Sequence, residues 1–78
     1  MHMNERVRTI LSHVMDVPLD QVGEDASTDT LTAWDSVRHM NLVLALEEEF
    51  GVEFTPDQTT AIVSLTAIVN ALQARKPD

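Results

Sequence analysis

Cysteine and tyrosine are both absent from this 78-residue chain. Without a thiol there is no disulfide, no thiolate metal site and no cysteine nucleophile, a composition that fits a reducing compartment. Aromatic side chains are confined to Trp34, Phe50 and Phe54, so the core must be built from Leu, Ile, Val, Met and Ala, which suits packed helices. Five basic residues stand against 13 acidic ones, a formal net charge of −8. Nucleic-acid phosphates repel such a surface, whereas partners with basic patches are attracted and oriented by it. No apolar run approaches the roughly 18 residues of a membrane span, and no signal peptide is visible. These absences point to a cytoplasmic protein. Met1-His2-Met3 reads in part as a cloning remnant and carries no functional argument.

The hydrophobic share of 44 % is that of a globular protein, so disorder is not indicated. At this length the chain forms one domain, 1–78, burying only about 60 % of its unfolded surface, so its stability is marginal. Asn4 can cap a first helix, with Glu5 in its first turn and an apolar stripe at Val7, Ile10, Leu11 and Val14. Pro18 stops that helix near Met15 or Asp16. Residues 17–34 then form a long acidic connection, anchored by Leu19, Val22, Leu31 and Trp34, which must cross the bundle. A loop this long in so small a domain is usually functional. Further on, Thr55-Pro56-Asp57 announces a short helix over 56–61. Ser64 caps the last helix, whose stripe is Leu65, Ile68, Val69 and Leu72 and whose end is Arg75-Lys76. No strand alternation, repeat or low-complexity segment is present. The expected fold is an all-α bundle of three longer helices plus one short helix.

The chain is organised around residues 31–51. A helix begins behind Asp35, with Ser36 in its first turn. Apolar residues recur at Val37, Met40, Val43/Leu44, Leu46 and Phe50, and Gly51 stands where a left-handed C-cap belongs. Glu47, Glu48 and Glu49 crowd the end of this helix, where its dipole disfavours anions, and a docking surface for basic partners is one reason for them. Ser36 and His39 share a helical face, but there is no Gly-x-Ser-x-Gly elbow, and so small a bundle walls off no dry pocket. A serine hydrolase is therefore disfavoured. The acids at Asp16, Asp20, Glu24 and Asp25 do not form a calcium loop, because Pro18 breaks the pattern and the required glycine is missing. His2, His13 and His39 lack ligand spacing. What remains is Asp35-Ser36-Val37. It can be a simple N-cap. It can also present a hydroxyl where first-turn amides and the dipole favour an added phosphate ester.

At this point the chain resembles the acyl carrier protein family. The matching residues are Trp34-Asp35-Ser36-Val37 followed by Leu42-Val43-Leu44-Ala45-Leu46-Glu47-Glu48-Glu49-Phe50-Gly51-Val52-Glu53-Phe54. The likeness extends over nearly the whole chain. It implies that Ser36 is the attachment point of 4′-phosphopantetheine, esterified from coenzyme A by a separate phosphopantetheinyl transferase, and that Asp35 helps present it to that enzyme and its metal ion. It also implies a partner surface in which Val37, Met40 and Leu44 form an exposed apolar ridge and Glu47 and Glu48 supply acidic contacts. Leu42, Leu46, Phe50, Phe54, Ile62 and Ile68 match core positions that line the space where some carriers shelter an acyl chain. The implied role is transport without catalysis: a monomeric carrier holding acyl or aminoacyl groups as thioesters on the prosthetic thiol, loaded by a ligase or acyltransferase and served by downstream synthases or transferases.

Several residues depart from the family pattern and bear on partner choice. Val37 stands where leucine is commoner, Trp34 where fatty-acid carriers have a small residue, and Asn41 where they often have an acid. Arg38 and His39 bring positive character to the helix start. These tilt the reading from the housekeeping fatty-acid carrier to a freestanding carrier of polyketide, modified-lipid or aminoacyl biosynthesis, although the glycine-rich approach of peptidyl carriers is missing from Leu31-Thr32-Ala33-Trp34. The rival reading is an acidic helical adaptor in which Ser36 is only a cap or a phosphosite.

Overall fold

The computed structural model describes residues 3–75, the last of these by its backbone alone. Helices α1 (Met3–Met15), α2 (Ser36–Phe50), α3 (Pro56–Ala61) and α4 (Leu65–Arg75) follow one another, with a single 3-10 turn at Leu19–Gln21 in the first connection. Among the described residues, the one extended pairing outside the helices is an isolated antiparallel bridge between Ser27 and Ser64. The expected all-α architecture is the observed one.

Periodicity explains how these helices pack. Val7, Leu11 and Met15 on α1, Leu42, Val43 and Leu46 on α2, and Leu65, Ile68, Val69 and Leu72 on α4 are all buried. Each set lies on one stripe, so three helices close around one aliphatic core. Phe50 and Phe54 are only partly buried at its edge.

The helix ends obey local chemistry. Helix α1 stops in a Schellman motif: Val17 N–H donates to Ser12 O at 3.1 Å and Asp16 N–H to His13 O at 3.3 Å. Asp16 takes the left-handed conformation there, at φ 58°. Gly51 fills the same role after α2 at φ 65°. Thr55 and Gln58 form a reciprocal capping box on α3, and the Ser64 hydroxyl accepts from Ala67 N–H at 3.1 Å to cap α4. Two expectations need correction. Asn4 does not cap α1, because it lies inside the helix, which already includes Met3; the Met3 side chain packs against the core and so favours an earlier start. Leu19 does not anchor the connection. It opens the 3-10 turn after Pro18 and stays 45 % exposed, while the apolar contact passes to Val22 and Ala26. Lys76, expected at the end of α4, lies outside the described residues.

The long connection is pinned throughout. The Arg8 guanidinium donates to Val22 O at 2.6 Å and Leu19 O at 3.2 Å, and the Ser12 hydroxyl donates to Val17 O at 2.6 Å. Farther along, Leu65 N–H donates to Ala26 O at 2.8 Å and Thr28 N–H to Val63 O at 3.1 Å. The connection thus crosses the bundle to the start of α4 before Leu31 and Trp34, both buried, return it to the N-terminus of α2.

Candidate functional site at the N-terminus of α2

Trp34 enters the core and Asp35 adopts an extended conformation, φ −110° and ψ −174°. From there the Asp35 carboxylate accepts Arg38 N–H at 2.9 Å, and its carbonyl accepts His39 N–H at 2.8 Å. This is an N-cap in full: one side-chain bond to an orphan amide plus the first helical bond. Ser36 is therefore the first residue of α2, and it is exposed. No acid lies in the first turn of α2, so the positive end of the dipole has only the Asp35 carboxylate before it. An ester phosphate on Ser36 Oγ would sit where that dipole favours negative charge.

Behind the serine is a feature that spacing alone did not disclose. The Trp34 indole N–H donates to His39 Nδ1 at 3.0 Å, and the two rings stack with centroids 6.1 Å apart at 24°. Because an indole nitrogen can only donate, Nδ1 carries no hydrogen, and Nε2 donates to Thr59 O at 2.7 Å. Both imidazole nitrogens are thus committed to Trp34 and α3, so His39 is not directed at Ser36. Beside this chain an open groove of about 520 Å³ runs from Ser36 between α2 and α3, lined by Trp34, Met40, Thr28, Thr60 and Val63 among others. Its α3 side could not be read from the sequence, because nothing in the spacing of Thr59, Thr60 and Val63 says which helix they face.

The ridge expected from the resemblance is present: Val37 is 69 %, Met40 55 % and Leu44 61 % exposed, along one side of α2. Exposed apolar side chains grouped in this way mark contact surfaces. The acidic end is less uniform than the sequence suggested. Glu47 is half-buried, and its carboxylate accepts Phe54 N–H at 2.9 Å, stitching the turn after α2. Glu49 pairs with Arg6 at 3.1 Å, whose guanidinium also lies 4.4 Å from the Phe50 ring centroid. Two of the three acids therefore have structural partners, which answers part of the question raised by anions at the negative end of a dipole. Glu48 and Asn41 are exposed. Arg38 donates to Val14 O at 2.9 Å, tying the start of α2 to the end of α1.

Residues 5–72 match the protein family described as the phosphopantetheine attachment site. The chain belongs to that family. It is also 27 % identical over 70 residues to acyl carrier protein 3 of Ralstonia nicotianae, covering 90 % of this chain and 80 % of the relative. The family's domain is the place of covalent 4′-phosphopantetheine attachment, and membership gives this chain a carrier role that draws on a phosphopantetheinyl transferase and biosynthetic enzymes. The residues present fit the group: an exposed hydroxyl at a helix start, a capping acid before it, and an open groove beside it that could take a flexible arm. Among the described residues, no helix is long and apolar enough to cross a membrane.

Proposed function

We propose that Ser36 Oγ is the attachment point of 4′-phosphopantetheine and that the chain acts as a single monomeric carrier domain, holding acyl or aminoacyl groups as thioesters on that arm. One observation carries this reading: within the family match, an exposed serine opens α2 directly behind its N-cap acid, Asp35. Asp35 both builds the helix start and places a carboxylate beside the hydroxyl that the transferase must reach. Val37, Met40 and Leu44 form the apolar part of the docking surface. Glu48, Asn41 and the exposed edge of Glu47 form its polar part, while Arg38 fixes the helix that presents it. Partners with basic patches are steered to this face by the net charge of −8, and contacts of this kind form and release quickly.

The cargo reading follows from the residues around Ser36. Arg38, His39 and Asn41 make a helix start less acidic than that of a fatty-acid carrier, and Trp34 and Val37 change its shape, which together favour a specialised pathway of polyketide, modified-lipid or aminoacyl assembly. The test is the intact mass after incubation with a broad-specificity phosphopantetheinyl transferase, magnesium and coenzyme A. A gain of one phosphopantetheine that Ser36→Ala abolishes is expected. A folded wild type that gains nothing beside an active enzyme control would leave the adaptor reading standing.

A further inference from the structure

The short helix α3 contains no buried residue of its own. It is held between Phe54, at the edge of the core, and Ile62, which is 1 % exposed. Its body needs another fastening. The last carbonyls of any helix lack intrahelical partners. Val63 N–H, which would otherwise close a helical bond to Thr59 O, turns instead to Ala61 O at 2.9 Å. The orphaned Thr59 carbonyl receives His39 Nε2 at 2.7 Å from across the seam between α2 and α3. Trp34, itself 6 % exposed, holds the opposite ring nitrogen and so fixes both the tautomer and the ring plane. His39 thus supplies from α2 the C-terminal partner that α3 lacks, three residues after Ser36.

We propose that His39 is a specificity-determining latch: by fastening α3 across the seam that leads from Ser36 into the core, it keeps cargo in the open groove outside and suits the carrier to short or polar acyl groups. The inference rests on Ser36 carrying the arm. An alkyl chain gains from burial in proportion to the area it removes from water. Entering the core from Ser36 means parting α2 from α3, which breaks the His39–Thr59 bond and leaves Thr59 O without its partner. The groove beside Trp34, Met40, Thr60 and Val63 accepts a short chain without breaking that bond.

Two arms test this. In the unloaded protein, hydrogen exchange of the α3 amides should be about tenfold faster in His39→Phe, which keeps the ring but loses donor and acceptor, and near wild type in His39→Gln, which keeps a donor and an acceptor. Should His39→Phe fail to fold, Trp34→Phe takes its place and should also speed exchange by loosening the ring. For the second arm, acetyl-, butanoyl- and octanoyl-pantetheine forms are made from the corresponding coenzyme A thioesters and verified by intact mass. The wild-type unfolding midpoint should be the same for all three, whereas that of the His39 or Trp34 variant should rise with chain length. Exchange of α3 unchanged by losing the latch, or a wild-type midpoint that climbs steadily from acetyl to octanoyl, would overturn the proposal. The exchange arm needs no loading, so failure of attachment and failure of the latch are read separately.

Discussion

Replacing Asp35 separates two jobs that one carboxylate performs. Structurally it is the N-cap of α2, accepting Arg38 N–H at 2.9 Å, and it also places its charge at the positive end of the helix dipole. Losing a capping side chain costs about 1 kcal/mol, and losing a favourable charge at a helix N-terminus a further 0.3–1 kcal/mol or so. Asp35→Ala gives up both, about 1–2 kcal/mol together. Asp35→Asn keeps an oxygen that can accept the Arg38 amide and gives up only the charge. For a domain of this size, 1 kcal/mol corresponds to roughly 4–8 °C in the unfolding midpoint. Thermal unfolding followed by circular dichroism should therefore place Asp35→Ala at least about 5 °C below wild type, with Asp35→Asn between them and nearer wild type. If the carboxylate also presents Ser36 to the transferase and its metal ion, Asp35→Asn should load much more slowly than its stability would suggest. Equal midpoints for wild type and Asp35→Ala would refute the capping argument. An Asp35→Asn midpoint as low as that of the alanine variant would show that charge, and not the hydrogen bond, sustains the helix start.

Other perturbations have equally definite outcomes. Leu46→Ala opens a cavity at a side chain with 0 % exposure and should cost about 2–5 kcal/mol. That is comparable with the whole stability of a small domain, so far-UV circular dichroism should show a largely unfolded protein at elevated temperature. Gly51→Ala should lower stability by about 1 kcal/mol in denaturant titration. An added Cβ meets nothing within 4 Å there, so the cost is that of placing an L-residue at φ 65°. Leu44→Arg, at a side chain 61 % exposed, should leave stability within about 0.5 kcal/mol while slowing loading by the transferase, as measured by the time course of mass gain.

Much of this architecture was legible because it is local. Pro18 ended α1, Asp35 and Gly51 bracketed α2, and Thr55-Pro56 opened α3 within the expected bounds, since each rests on the conformational limits of one or two residues. Periodicity on α2 was less informative: Val37, Met40 and Leu44 share the apolar character of Leu42, Val43 and Leu46, yet only the second set is buried. A helix that is apolar on more than one side does not say which side meets the core, and the resemblance to a known family supplied that distinction. Long-range contacts were invisible. Nothing near Arg8 predicts that it will hold Leu19 and Val22, nor does anything near Glu47 predict its bond to Phe54 N–H. The Trp34–His39–Thr59 chain joins three segments, one of which, α3, carries no apolar stripe from which to infer its orientation. At the candidate site, Ser36 and Asp35 could be named in advance from a short motif. The groove beside them could not, because it exists only once α3 is in place.

The most direct test of the central claim is to locate the modification within the loaded protein. Trypsin should release residues 9–38 as one peptide, which contains Ser12, Ser27 and Ser36. The account predicts that fragmentation of this peptide places phosphopantetheine on Ser36 in all of the loaded material. Phosphopantetheine on Ser12 or Ser27, or a loaded protein whose residues 9–38 stay unmodified, would contradict it.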